Sequence, residues 1–130
     1  MDESLVGREF APLGPWAVEG ERVAAFARAT SYAGEGVPPT FPIVLLNDAM
    51  LAFLAEVGAS VERIVHGEQR FAWRRPIVVD DELTATMSIA SLRSLGGADV
   101  IGTVTTLTDA AGEVVGEARA TLVHSGGVVA

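Results

Sequence analysis

The chain has 130 residues and a formal charge of −8, with 17 acidic and 9 basic side chains, the basic ones all arginine. A length of this order suits one domain with its own core, and the acidic balance speaks against holding nucleic acid or an anionic membrane through overall charge. With 0 cysteines and 2 histidines, the chain has no disulfide framework, no thiolate nucleophile and little from which to build a zinc site.

Residues 5–10, Leu-Val-Gly-Arg-Glu-Phe, are predicted as a short first strand, and Gly14-Pro15 punctuates the chain. Over residues 20–30, Val23, Phe26, Ala27 and Thr30 follow the i, i+3, i+4, i+7 rule. Glu21, Arg22 and Arg28 take the other face, which predicts a surface helix. Residues 31–39 hold two glycines and two prolines and predict a loop. From Ile43 to Val57 only Asn47, Asp48 and Glu56 are polar, and the apolar positions run all the way round. That predicts a helix enclosed by other structure, with Thr40 as its cap, Pro42 in its first turn and Gly58 as its stop. Asp48 is the anomaly, because a carboxylate in an oily helix costs stability unless it has a partner or a task.

After Gly58 the period changes from helical to alternating. Ile64–Trp73 places Val65, Phe71 and Trp73 on one face and His66, Glu68 and Arg70 on the other, with Gly67 marking a bulge and Pro76 ending the run. Residues 82–91 put Leu83, Ala85, Met87 and Ile89 inward. Gly96-Gly97 turns the chain, residues 100–108 are rich in β-branched side chains, 109–112 form a hairpin turn and 114–124 alternate again. Residues 125–130 are predicted as a loose tail. One long apolar helix and a meander of antiparallel strands make an α+β class. The expected architecture is a single hot-dog domain over residues 1–130, a curved sheet wrapped around a buried central helix. Pairing with a second subunit is the natural protection for an open sheet edge, so a dimer is expected.

Two stretches carry a resemblance. Thr-Phe-Pro-Ile-Val-Leu-Leu-Asn-Asp-Ala-Met at 40–50 resembles the central-helix motif of the bacterial β-hydroxyacyl-ACP dehydratases, in which a catalytic Glu or Asp precedes Ala-Met. Asp48 occupies that acidic position. Arg-Ile-Val-His-Gly-Glu-Gln-Arg-Phe at 63–71, followed by Arg-Pro-Ile and an acidic pair, resembles the N-terminal MaoC-like dehydratase domain, as do Pro-Pro-Thr-Phe at 38–41 and Phe-Ala-Arg-Ala at 26–29. The likeness covers nearly the whole chain, with two departures. The histidine that the first family carries eight residues before the Phe-Pro proline is Gly34 here. Where catalytic MaoC-like hydratases carry Gly-Asp-x-Asn-Pro-x-His, this chain has Thr30-Ser31-Tyr32-Ala33-Gly34. This is similar to the subunit without the dyad in heterodimeric (3R)-hydroxyacyl-ACP dehydratases.

The resemblance implies a subunit of a (3R)-hydroxyacyl-ACP or CoA dehydratase, in fatty-acid or polyketide-type metabolism, working with a partner that supplies the missing histidine. The alternatives are a non-catalytic acyl-chain-binding subunit and a hot-dog acyl thioesterase. Neither a metal nor an organic cofactor is implied. The implied partners are an acyl thioester on acyl carrier protein or CoA and another hot-dog subunit, with no nucleic acid and no membrane. The acidic Met-Asp-Glu-Ser start and the lack of a run of about 18 apolar residues make a cytoplasmic protein the expectation.

Dehydration needs a base for the α-proton, an acid for the departing hydroxyl and donors for the enolate-like oxygen. The N–H groups of Ile43 and Val44, at the start of a helix, are candidates for holding that oxygen. Asp48, desolvated in an apolar helix, is expected to keep a proton to donate, or else to hydrogen-bond a backbone group or the partner subunit. His66 shares its strand face with Glu68 and is a second catalytic candidate, with a structural or interface hydrogen bond as the alternative. Strict alternation turns it away from the core unless Gly67 shifts the phase. His124 is expected to be a solvated strand residue. Arg63, Arg70, Arg74 and Arg75 are candidates for a carrier's phosphate, or for ion pairs with Glu62, Glu68, Asp80 or Asp81. Phe41, Met50, Phe53 and Phe71 are expected in the core or in the wall of an acyl channel.

Overall fold

A computed structural model describes residues 1–125; the expected tail beyond Ser125 lies outside the described residues. The chain opens with a 3₁₀ turn, Glu3–Leu5, capped by the Asp2 carboxylate. Residues 5–10 do not form the expected strand. Gly7 turns the chain at φ +86°, and the only strand-like pairing left is the bridge between Glu9 and Ser88. The first strand is instead β1, Leu13–Ala17, built around the Gly14-Pro15 pair that the sequence suggested as punctuation. β1 is an edge of the sheet, where a residue without an N–H is tolerated. A Cβ on Gly14, at φ +141°, would stand 2.7 Å from the Leu83 carbonyl oxygen, so this crossing requires glycine.

Helix α1 spans Gly20–Ala29 and buries Val23, with Phe26 half-buried beside it. It ends where the Thr30 hydroxyl donates back to the Phe26 carbonyl at 2.8 Å. Helix α2 spans Ile43–Val57, and Gly58 closes it in the left-handed conformation at φ 73°. Thr40 does not cap it. Pro42 holds the cap position without a side-chain bond, and the first free amides bond backward instead, Ile43 N–H to Thr40 at 3.0 Å and Val44 N–H to Phe41 at 3.2 Å.

The remaining strands are β2 Ile64–Trp73, β3 Glu82–Leu95, β4 Ala98–Thr108 and β5 Val114–Ser125. They join β1 in one antiparallel sheet of order β1-β3-β4-β5-β2. The two hairpin turns fall at Gly96-Gly97 and at 109–112 as predicted, the second held by Asp109, whose Oδ1 accepts from the Ala111 and Glu113 amides at 3.0 Å. β3 runs four residues past the predicted end, because pairing with β4 resumes after a bulge between Ile89 and Ser91.

The sheet curls around α2, which divides the core into two buried clusters. Leu45 and Leu46 of its first half, and Phe41 just before it, pack with Val18, Leu83 and Leu107. Its second half, with Ala49, Phe53 and Leu54, packs with Phe10, Ile89 and Ile101. Each large side chain so buried contributes about 1.5–3 kcal/mol, which holds the helix without help from a cap. Cover stops at the inner side, however. Asn47, Asp48, Ala52, Ala55 and Glu56 are exposed, and Leu51 is 40% exposed, so one chain does not enclose the helix all round.

His124 also departs from expectation. It is 1% exposed, because β4 and β5 stay paired to Ala98 and Ser125 and hold it inside, opposite Asp99. Asp99 is itself buried, accepting from the Met1 amino group at 3.0 Å and from Ser94 at 2.9 Å. Burial works to raise its pKa, but those two donors outweigh burial and hold the carboxyl below its ordinary range. Among the described residues no helix is long and apolar enough to cross a membrane.

Candidate functional site

Successive helical residues lie about 100° apart, and on α2 this sorts the side chains onto three faces with different surroundings. Ile43, Leu46, Asn47 and Met50 form one face; Ala49, Ala52, Phe53 and Glu56 form a second; Leu45, Asp48 and Leu51 form a third. Each face borders its own cavity.

The first cavity, of about 60 Å³, lies between α2 and the sheet. β2 contributes His66 and Gln69, β3 contributes Met87, β4 contributes Thr103 and Thr105, and β5 closes it with Ala118, Ala120 and Leu122. His66 gets there because the β2–β5 register slips between His66 and Glu68, at Gly67. The extra residue shifts the phase, so Val65 turns outward and is 61% exposed while His66 faces the cavity. The opposite assignment of these two side chains by simple alternation is thereby corrected. Gln69 Oε1 accepts from His66 Nε2 at 3.0 Å, and the expected partner Glu68 instead pairs with Arg70.

The third face carries Asp48, beside a cleft formed with Leu13, Gly14, Pro15 and Trp16. Asp48 is exposed, so the desolvation expected of it is absent within this chain. It borders a different opening from His66, and the two catalytic candidates are not brought into one cavity. Among the candidates for substrate contact, Ile43 lines the first cavity and Val44 is half-buried on the helix flank. Their N–H groups are already bonded to Thr40 and Phe41, so neither is free to receive a thioester oxygen. Phe41 and Phe53 are each 1% exposed. Phe41 packs against Trp16 and Phe26 with ring centroids at 5.4 Å, and Phe53 meets Phe10 edge-on at 5.1 Å.

The arginine cluster disperses. Arg75 forks onto Asp81 at 2.8 and 3.0 Å and reaches Asp109 at 3.3 Å, so its geometry is that of an ion pair. The Arg75 bond, partly opposed by burial, holds the Asp81 carboxyl below its ordinary range, with the Val78 N–H adding to the effect. Arg70 is tied to Glu68 on the exposed surface of β2, and Arg74 and Arg63 are exposed with no ion-pair partner among the described residues. Among the described residues no three His, Cys, Asp or Glu side chains group as metal ligands.

Asn47, Thr103 and Thr105 are polar lining residues not expected from the sequence, and Gln69, which with Glu68 reads there as a strand-pairing residue, joins them in the cavity wall. Two of them left a signal. Residues 101, 103, 105 and 107 are the inward positions of β4, and Ile-Thr-Thr-Leu puts two hydroxyls where the period calls for apolar side chains.

A model of the FAS1-like dehydratase domain region matches residues 4–118. The chain belongs to that family. This FAS1-like dehydratase domain is 36% identical to the UPF0336 protein Lxx02810 of Leifsonia xyli, with 97% of each chain covered. It is 34% identical to a UPF0336 protein of Streptomyces avermitilis, covering 87% of each. In structure it is similar to a chain of the C-terminally truncated HadBC (3R-hydroxyacyl-ACP dehydratase) complex of Mycobacterium tuberculosis. There the TM-score is 0.78 at 28% identity, over 92% of this chain and 96% of that one. It also matches a MaoC-like dehydratase at TM-score 0.82 and 28% identity, covering 95% of this domain but 43% of that longer chain. These matches confirm the hot-dog dehydratase fold.

Proposed function

We propose that this domain is one subunit of a (3R)-hydroxyacyl thioester dehydratase, reversible as a hydratase, whose catalytic histidine comes from a second hot-dog subunit. The substrate is carried on acyl carrier protein or CoA. The observation that carries this reading is the end-to-end similarity to a HadBC chain in a sequence that has Gly34 and Thr30-Ser31-Tyr32 where dehydratases of this kind hold histidine. Two features support a partner: β2 forms an edge of the sheet, and the outward face of α2 presents Asp48 and Leu51 uncovered.

In the forward direction the partner's histidine removes the α-proton, the bond from the β-carbon to oxygen breaks, and the electron pair forms the α,β double bond. The hydroxyl takes a proton from Asp48 and leaves as water. Thioester oxygen is polarised by N–H groups other than those of Ile43 and Val44. Because Asp48 is exposed, Asp48→Asn should leave folding unchanged to within about 0.5 kcal/mol while lowering kcat/KM of the co-purified complex by roughly 10²–10⁴. Unchanged turnover would overturn the acid role.

A second reading, an acyl-binding subunit without catalytic groups, is favoured by the separation of Asp48 and His66 onto different cavities. It predicts that Asp48→Asn is tolerated. Product analysis with a 3-hydroxyacyl thioester separates both from a thioesterase, which would release free acid in place of enoyl product.

A further inference from the structure

Among the described residues, Met87 is the one that lines both of the cavities on the first two faces of α2. On one side lies the cavity of about 60 Å³ that also holds His66 and Gln69. On the other lies a cavity of about 250 Å³ on the second face of α2, walled by Ala49, Ala52 and Phe53 from the helix, Phe10 from the N-terminal segment and Ala85 from β3. Met87 is 5% exposed, so its side chain is buried where the two linings meet. Along the helix, Leu46 and Met50 face the first cavity, and Ala49 faces the second. Ala49 is too short to separate the two, and Met87 is the residue common to both linings.

From this geometry we infer that Met87 sets the length of acyl chain this domain accepts. The inference rests on the dehydratase-subunit reading for the nature of the ligand. A chain entering past His66 and Asn47 finds a cavity well below the 150 Å³ that takes up a benzene, and it stops at the Met87 thioether. The larger apolar space beyond is out of reach while that side chain is in place. The wild-type domain therefore takes short-chain acyl thioesters. Shortening residue 87 joins the two cavities into one channel under α2, leading toward Ala52 and the Arg8–Glu56 ion pair at 3.0 Å on its far side. An unbranched thioether, with its three rotatable bonds, makes this partition a soft one that repacks against different chain ends.

The test is calorimetric titration of the full chain, in whatever assembly it purifies in, with butanoyl, octanoyl and dodecanoyl thioesters of N-acetylcysteamine. Wild type should bind the butanoyl thioester and discriminate against the dodecanoyl one. Met87→Ala should tighten dodecanoyl binding by about tenfold or more, as expected from burying two further methylenes, and change butanoyl binding by less than about threefold. Adding Ala52→Phe, which fills the second cavity from the exposed side of the helix, should abolish the gain. Met87→Val, better suited to a strand, should show the same direction if Met87→Ala does not fold. No gain in either variant, a gain that survives Ala52→Phe, or a wild type that binds all three alike or none of them overturns the inference. A gain that behaves as described, together with no dehydration or hydration by any complex, overturns the proposed function and leaves the role of Met87 standing.

Discussion

His66 Nε2 lies 3.0 Å from Gln69 Oε1, three residues along one strand. Alternation puts residues three apart on opposite faces, and the bulge at Gly67 brings these two to the same side. The contact is exposed, so it contributes no more than about 1 kcal/mol. His66→Ala should lower stability by less than that in urea unfolding. On the proposal that a partner supplies the catalytic histidine, it should lower kcat/KM of the complex less than about tenfold. A loss of 10²-fold or more would move His66 into the proton-transfer machinery.

The Arg75 fork predicts both a stability loss and an acid sensitivity. Arg75 is 35% exposed and Asp81 13%, so solvent screens the pair in part. Arg75→Ala should cost about 1–2 kcal/mol, read as a lower urea midpoint. The carboxyls of Asp81 and Asp109 are both held below their ordinary value of 3.8 in the folded chain. A depressed carboxylate contributes stability that is fully present above the unfolded pKa and is lost as pH falls through the folded one. Stability should therefore decline as pH drops below about 4, and decline less in Asp81→Asn. Loss of affinity for an acyl-CoA in Arg75→Ala, with stability unchanged, would return Arg75 to the phosphate role.

Thr103 and Thr105 are buried, 3% and 2% exposed, on the cavity floor. Hydroxyls at inward strand positions cost stability relative to an isosteric methyl. Thr103→Val and Thr105→Val should thus leave the melting temperature unchanged or raise it, by up to about 1 kcal/mol in stability. If the hydroxyls serve the thioester, the same variants should weaken its binding, which is the usual exchange of stability for function. A marked fall in melting temperature would mean that these hydroxyls hold the sheet together.

The fold was legible because its strongest signals are periodic. The bounds of α2 and β2 and the inward set Leu83, Ala85, Met87 and Ile89 all follow from spacing alone. What spacing misses is phase and cover. Gly67 was visible as a bulge, but only the register with β5 shows which side chains it turns inward, and with that His66 and Gln69 entered the cavity. The same limit hid Asp48. An apolar circumference predicts cover without saying which molecule supplies it, and the sheet of this chain reaches only the inner side of α2. The first strand was misplaced for a different reason: Gly-Pro reads as a break, yet at a sheet edge it forms part of β1. Arginine spacing, finally, carries no information about the aspartates that the fold brings alongside, as Arg75 and Asp109 show.

His124 supplies the last prediction. It is 1% exposed, and neither ring nitrogen has a hydrogen-bond partner among the described residues. Leaving buried polar atoms unpaired costs about 1–3 kcal/mol, so a side chain of similar size without them should fit better. The opposing effect is electrostatic, since Asp99 lies opposite on β4 and its carboxylate is favoured by a positive charge nearby. Among the influences on Asp99, however, His124 ranks behind burial, the Met1 amino group and Ser94, and the latter two donors remain when His124 is replaced. Desolvation should therefore win. His124→Leu should raise stability by about 1 kcal/mol, or roughly 3–6 °C in melting temperature for a domain of this size, without altering the cavity beside His66. A fall in melting temperature would show that the imidazole has a partner beyond the described residues, such as a bound water or a second subunit, and would make His124 a structural contact instead of a cost to the fold.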